Sequence, residues 1–331
     1  MMMQQPGNEP NKYQKGKANL KYGMFIHFGV NTFADKEWTD GTIPATAFRP
    51  TSIDADQWVK TAYEAGMKFL VLVTKHHDGF CLWNSAYTTY DVESASNNTD
   101  VVKAVSLACQ KYGVRLGLYY SLWDRGEPSY RSDFSNGYIP YMKNQLTELM
   151  TNYGHISELW FDGGWEKTSA DWKLDELYDL VKKLQPQCQI GVNGTIGRPN
   201  KAGLLWMLWK RPKLQKNGDA MRFFPSDFRL ADPSIPKKKD PKLFTHDGKT
   251  YYLPFEATQC LKPTWFYNTK NDGSKTRSVL KIAQAYKQLV SQGNTYVLNA
   301  APNREGKLMQ SDIDTLYAVA RVLGIAKGGA K

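Results

Sequence analysis

Glu158-Leu-Trp-Phe-Asp-Gly-Gly-Trp165 carries a short apolar run that stops on a carboxylate, Asp162, and passes at once into two glycines and an indole. The run reads as a buried β-strand, and Gly163-Gly164 lets the backbone turn sharply beneath whatever the acid faces. A strand followed by Asp-Gly is also an ordinary turn. The case for a reactive group therefore rests on whether other strands end in the same way.

They do. Tyr22-Gly-Met-Phe-Ile-His-Phe-Gly29 is a strand candidate ending near His27, and Lys68-Phe-Leu-Val-Leu-Val-Thr-Lys75 runs straight into His76-His77-Asp78-Gly79. Val114-Arg-Leu-Gly-Leu-Tyr-Tyr-Ser121 ends on Tyr119, Tyr120 and Ser121, and Gln189-Ile-Gly-Val-Asn-Gly194 ends on Asn193. Between these strands the spacing predicts helices from Asp54 to Ala65, Val101 to Tyr112 with Asp100 as cap and Gly113 as stop, Ile139 to Tyr153, and Asp171 to Leu184. Further on come a strand around Phe255 to Gln259, a helix from Lys275 to Val290, the strand Thr295 to Asn299 and a helix from Ser311 to Leu323. From Thr195 to Tyr252 the rhythm degrades, with Leu204 to Trp209 the one strand-like stretch.

About eight near-continuous apolar strands alternating with helices read as an α/β fold, a single (β/α)8 TIM-like barrel irregular in strands 5 to 7. In such a barrel the reactive residues sit at the C-terminal strand ends. Residues 1–20 read as a polar lead-in and 21–331 as one barrel domain, with no internal repeat and no linker marking a second domain.

Composition narrows the partners. The 331 residues are 41% hydrophobic and 13% aromatic, enough for a large core and for indole and phenol platforms. The net charge of +11 would point to nucleic acid only if the basic residues clustered, and the one tight run, Lys237 to Lys239, reads as a solvated loop, so no nucleic-acid partner is expected. No apolar stretch is long enough for a membrane span. The first residues lack a hydrophobic signal core, which leaves a cytosolic protein or one whose signal was removed. Cys81, Cys109, Cys188 and Cys260 form no CxxC pair.

Acids, histidines and indoles at strand ends fit glycoside cleavage or metal-assisted hydrolysis. His27, His76, His77 and Asp162 could supply metal ligands, but no HxH or HExxH pair is present and adjacent histidines on a regular strand point to opposite sides, so no metal and no cofactor is expected. Glycoside cleavage with retention needs two carboxyl groups about 5–5.5 Å apart. Asp162 is the natural nucleophile. For the proton donor the loop-rich segment offers Asp227, Asp232, Asp240 and Glu256, with Glu256 preferred as the one placed at a strand end.

Tyr22 to Gly29, Glu37-Trp38, Ala65-Gly-Met-Lys68, Lys75-His-His-Asp-Gly-Phe-Cys-Leu-Trp83, Gly117-Leu-Tyr-Tyr-Ser121 and Leu159-Trp-Phe-Asp-Gly163 resemble, in order and spacing, the α-L-fucosidases of glycoside hydrolase family 29, from about residue 20 to 325. The resemblance implies a retaining hydrolase acting on terminal fucose of oligosaccharides or glycoconjugates, with Asp162 as nucleophile. It implies a periplasmic or secreted setting. It also implies a sugar subsite lined by His27, Glu37, Trp38, His76, His77, Tyr119 and Tyr120, with Trp265 against the 6-deoxy methyl group. Arg198 and Arg222 are carried only as sugar contacts. The segment Val192 to Arg198 lacks the acid some relatives have there, and no β-sandwich follows the barrel within this sequence. A galactose-like specificity and a non-hydrolytic glycan-binding barrel stay open as alternatives.

Overall fold

A strand buried on both faces needs apolar side chains at every position, and Phe69–Lys75 supplies seven buried residues in a row. The computed structural model describes residues 5–197, 216–232, 234–236 and 239–331. Its strands are β1 (Tyr22–Ile26), β2 (Phe69–Lys75), β3 (Arg115–Ser121), β4 (Ile156–Asp162), β5 (Gln189–Asn193), β6 (Phe228–Leu230), β7 (Leu243–His246), β8 (Lys249–Tyr252), β9 (Glu256–Cys260) and β10 (Thr295–Asn299). Eight of them form one parallel sheet in the order β6-β5-β4-β3-β2-β1-β10-β9. A parallel bridge from Arg229 to Phe255 joins its two end strands, so the sheet closes into the expected barrel. The antiparallel hairpin β7-β8 stands outside it.

The sequence reading missed β6 and the hairpin, and its strand-like stretch Leu204 to Trp209 lies outside the described residues. A three-residue strand gives no periodicity to read. The main helices, by contrast, fall close to where caps and spacing put them. Val101–Tyr112 begins under an Asp100 side chain that accepts the Lys103 N–H and ends on Gly113 in the left-handed conformation.

Strand alternation sorts the core into two sets. Phe25, Phe69, Val71, Val73, Tyr119, Trp160, Phe228, Leu230 and Val297 fill the barrel interior. Met24, Leu70, Leu118, Tyr120, Leu159 and Phe161 point outward into the layer under the helices.

The lead-in also carries structure. Lys12–Ala18 is a helix, α1, capped by Asn11 and Gln14 in a reciprocal pair. Gln14 ties it down by donating to the carbonyls of Asp227 (2.7 Å) and Tyr252 (2.8 Å). Lys17 reaches into the bottom of the barrel, where it pairs with Glu158 and with Glu256 (2.6 Å). Gly117 makes room there, since a Cβ would lie 2.5 Å from the Glu158 side chain. Burial and the adjacent Glu256 carboxyl push the Glu158 carboxyl up to about 8. Removing Lys17 would leave two buried acids facing each other, a loss of about 3–5 kcal/mol by analogy with other broken buried pairs.

Candidate active site

Asp162 ends β4 with its side chain on the barrel side and 13% exposed. Four groups donate to it. The Gly163 N–H (2.7 Å), Trp165 Nε1 (3.0 Å) and Asn193 Nδ2 (3.0 Å) meet Oδ1, and the Tyr119 hydroxyl (2.9 Å) meets Oδ2. A carboxylate only accepts, and this one is held by donors on both oxygens. Gly163 must be glycine for this, since its φ is +81° and a Cβ would lie 2.6 Å from the Trp123 side chain. Asp162 opens onto a cavity of about 280 Å³ lined by Phe25, His27, Glu37, Trp38, His76, His77, Tyr119, Trp160, Trp165, Asn193, Gly194, Arg222, Asp232, Trp265 and Phe266.

Burial disfavours the charged form of the three cavity histidines. Burial holds the His27 ring down at about 3, and it holds His76 and His77 below the ordinary range as well, with neighbouring His77 and His27 adding to the effect on His76. Their tautomers follow from partners. Asn299 donates its amide to the Trp265 carbonyl (2.8 Å), so its Oδ1 accepts from His27 Nδ1 (2.7 Å) and His27 Nε2 is left as an acceptor. Ser121 donates to the Trp123 carbonyl (2.5 Å) and accepts from His77 Nδ1 (2.7 Å), which leaves His77 Nε2 as an acceptor 3.8 Å from Asp162 Oδ2. His76 Nδ1 is buried and has no hydrogen-bond partner among the described residues.

Both His76 and His77 line the cavity, with ring centroids 4.1 Å apart. The expectation that neighbours on a strand must diverge does not apply, because β2 ends at Lys75 and the two histidines lie in the turn beyond it. Tyr119 and Tyr120 do diverge. Tyr119 enters the cavity, while the Tyr120 hydroxyl points the other way, donating to Gln145 (2.8 Å) and accepting from Lys75 (3.0 Å), so Tyr120 is corrected from sugar subsite to barrel exterior.

Glu37 accepts the N–H groups of Trp265 (2.9 Å) and Phe266 (3.2 Å), fixing the segment that brings the Trp265 ring 5.0 Å from His27. Burial raises its carboxyl despite those two bonds. At the rim Trp38, half exposed, stacks on Trp165 (5.7 Å) and meets Trp123 edge-on (5.7 Å).

Glu256 is not in the cavity. It opens β9 rather than ending it, and in a parallel barrel that puts it at the face opposite Asp162. Its oxygens accept from Lys17, from Thr295 (3.0 Å) and from Trp160 Nε1 (2.6 Å). Arg198 lies outside the described residues. Arg222 and Asp232 do line the cavity. Asp232 accepts from Thr258 (2.7 Å), and its own N–H donates to Asn193 Oδ1 (3.1 Å). Among the described residues no group of three or more acids, histidines and cysteines could hold a metal ion. Trp160, Phe266, Ser121 and Asn299 were not assigned to the site from sequence, although Asn299 carries the same mark as Asp162, a polar residue closing a strand.

Residues 42–327 match the family model described as alpha-L-fucosidase. Alpha-L-fucosidase 1 of Arabidopsis thaliana is 33% identical over 328 residues, covering 94% of this chain and 58% of its own length, so the chain spans a little over half of that relative. A glycoside hydrolase 29 family member from an unknown rumen bacterium superposes with a TM-score of 0.80 at 27% identity, over 97% of this chain and 58% of that one. An alpha-L-fucosidase from Lactobacillus casei, solved with alpha-L-fucose product, does so at 0.71 and 25%, over 95% and 98%. With its barrel, its strand-end carboxylate and this match over most of its length, the chain belongs to the alpha-L-fucosidase family, glycoside hydrolase family 29.

Proposed function

We propose that the protein hydrolyses terminal α-L-fucosyl linkages of oligosaccharides or glycoconjugates with retention of configuration, Asp162 acting as nucleophile. The observation that carries this reading is the placement of Asp162, aimed by four donors into a cavity of about 280 Å³ whose walls include three buried histidines. That volume lies just below the usual range of ligand sites, about 300 to 1,000 Å³, and suits one sugar ring. His27 Nε2 and His77 Nε2 are acceptors for sugar hydroxyls, and His76 Nδ1 is buried polar capacity that a hydroxyl would satisfy. Trp265 and Phe266 give the ring an apolar side, which suits a methyl group at C6 better than a hydroxymethyl group.

In the first step an Asp162 oxygen bonds to the anomeric carbon as the bond to the leaving oxygen breaks, and that oxygen takes a proton from a carboxylic acid. In the second, the same acid, now a carboxylate, removes a proton from water, whose oxygen bonds to the anomeric carbon and releases Asp162. Oδ2 is the freer oxygen, with one donor against three on Oδ1. Among the described residues the other cavity acids are Glu37 and Asp232. Both oxygens of Glu37 accept backbone N–H groups of the Trp265–Phe266 segment, a task of holding the cavity wall in place. We assign the proton to Asp232.

A panel of aryl glycosides tests the reading. Turnover of an aryl α-L-fucoside, releasing the α-anomer first, supports it. Preference for a galactoside would favour the galactose-like alternative, and saturable fucose binding without turnover the binding barrel.

A further inference from the structure

Trp160 lies two residues before Asp162 on β4, so it projects to the same side about 6.6 Å deeper in the barrel and forms the floor of the cavity. Its ring packs against Phe25 (centroids 5.0 Å) and Tyr119 (6.4 Å), and Tyr119 is the group that holds Asp162 Oδ2. An indole has a single donor, and here the donor points away from the cavity to Glu256 Oε1 at 2.6 Å. Glu256 is fixed in turn through its other oxygen by Lys17 (2.6 Å) and Thr295 (3.0 Å). Lys17 also packs over the Phe228 ring (4.2 Å), so it has little freedom of its own.

We propose that Glu256 is a positioning residue: through the Trp160 indole it sets the height and tilt of the cavity floor, and so the depth at which the sugar ring sits below Asp162. The contact joins α1 to the reacting centre. The lead-in helix supplies Lys17, Lys17 and Thr295 hold Glu256, Glu256 orients Trp160, and Trp160 carries the sugar. A charge-assisted bond suits this task, because it is shorter and more directional than one between neutral groups.

The proposal rests on the fucosidase reading for its kinetic arm. Glu256→Met keeps the volume, removes the acceptor and leaves Lys17 paired with Glu158. It should lower kcat/KM on aryl α-L-fucosides about 10-fold or more, as misplacement of a bound substrate does. The loss should be equal for good and poor leaving groups. Glu256→Gln, which restores an acceptor, should recover to within about threefold of wild type. In a Trp160→Phe background Glu256→Met should cost nothing further, since the two changes break one contact. An equal loss in both backgrounds, or no rescue by Gln, overturns the proposal. A loss confined to poor leaving groups also overturns it and makes Glu256 a proton donor. If Glu256→Met does not fold, the indole N–H spectra of ¹⁵N-labelled wild-type, Trp160→Phe and Glu256→Gln protein decide. Absence of turnover by the wild-type protein would instead reject the functional reading. The positioning contact is then read from the indole N–H spectrum of ¹⁵N-labelled protein. One downfield signal should vanish in Trp160→Phe and shift in Glu256→Gln, and its absence overturns the contact.

Discussion

Asp162 and Asp232 are tied to the two ends of one amide. Asn193 donates Nδ2 to Asp162 Oδ1 at 3.0 Å and accepts the Asp232 N–H on Oδ1 at 3.1 Å. The residue that closes β5 therefore links the Asp162 carboxylate to the backbone that carries Asp232, two segments from different parts of the chain. Replacing Asn193 by Ala should lower kcat/KM on an aryl α-L-fucoside about 10- to 100-fold, in line with the loss of an orienting hydrogen bond to a charged group. Circular dichroism and melting should show an intact fold. A variant within twofold of wild type would show that Asp162 is held by other contacts.

Asp162→Asn should reduce turnover by about 10³-fold or more, because an amide cannot form the glycosyl ester. Its four donors are arranged for an acceptor-only group, so the new NH₂ would face at least one of them. The fold should persist, with a modest drop in melting temperature. Retention of more than about a tenth of the wild-type rate would exclude Asp162 as nucleophile.

Asp232→Ala should slow fucosides with poor leaving groups far more than those with an activated nitrophenolate, which needs little protonation in the transition state. Azide should restore part of the rate by attacking the glycosyl-enzyme without base assistance, giving a fucosyl azide of retained configuration. Glu37→Gln should show neither effect. If Glu37→Gln shows both and Asp232→Ala does not, the assignments are reversed.

His27 binds its proton only near pH 3 in the fold, against about 6.5 in an unfolded chain. Between those values the unfolded state holds more protons, so this residue makes the protein lose stability as pH falls from about 6.5 towards 3. Urea unfolding at pH 7 and pH 4.5 should show a smaller acid loss for His27→Gln than for wild type. The variant should also keep the shape of the wild-type pH–rate profile, since an imidazole that is neutral throughout the working range does not titrate in it. A profile that loses its acid limb in the variant would contradict this.

The sequence by itself determined the barrel, the caps of its helices and the identity of most cavity residues. An eightfold alternation of apolar runs with amphipathic stretches has few other folds open to it, and a polar residue closing a buried strand is visible without coordinates, as with His27, Asp162 and Asn193. What the tertiary structure decided was side and end. Tyr119 and Tyr120 are neighbours of the same type, and only the direction of the pleat sends one to Asp162 and the other to Gln145 and Lys75. Glu256 is a strand-boundary acid like Asp162, yet it begins its strand, so parallel pairing carries it to the opposite mouth of the barrel. Its partners lie 239 residues before it in Lys17 and 96 before it in Trp160, separations that no local pattern records. Local chemistry is written in short windows of sequence, whereas the charge balance of a barrel interior is set where distant strands converge.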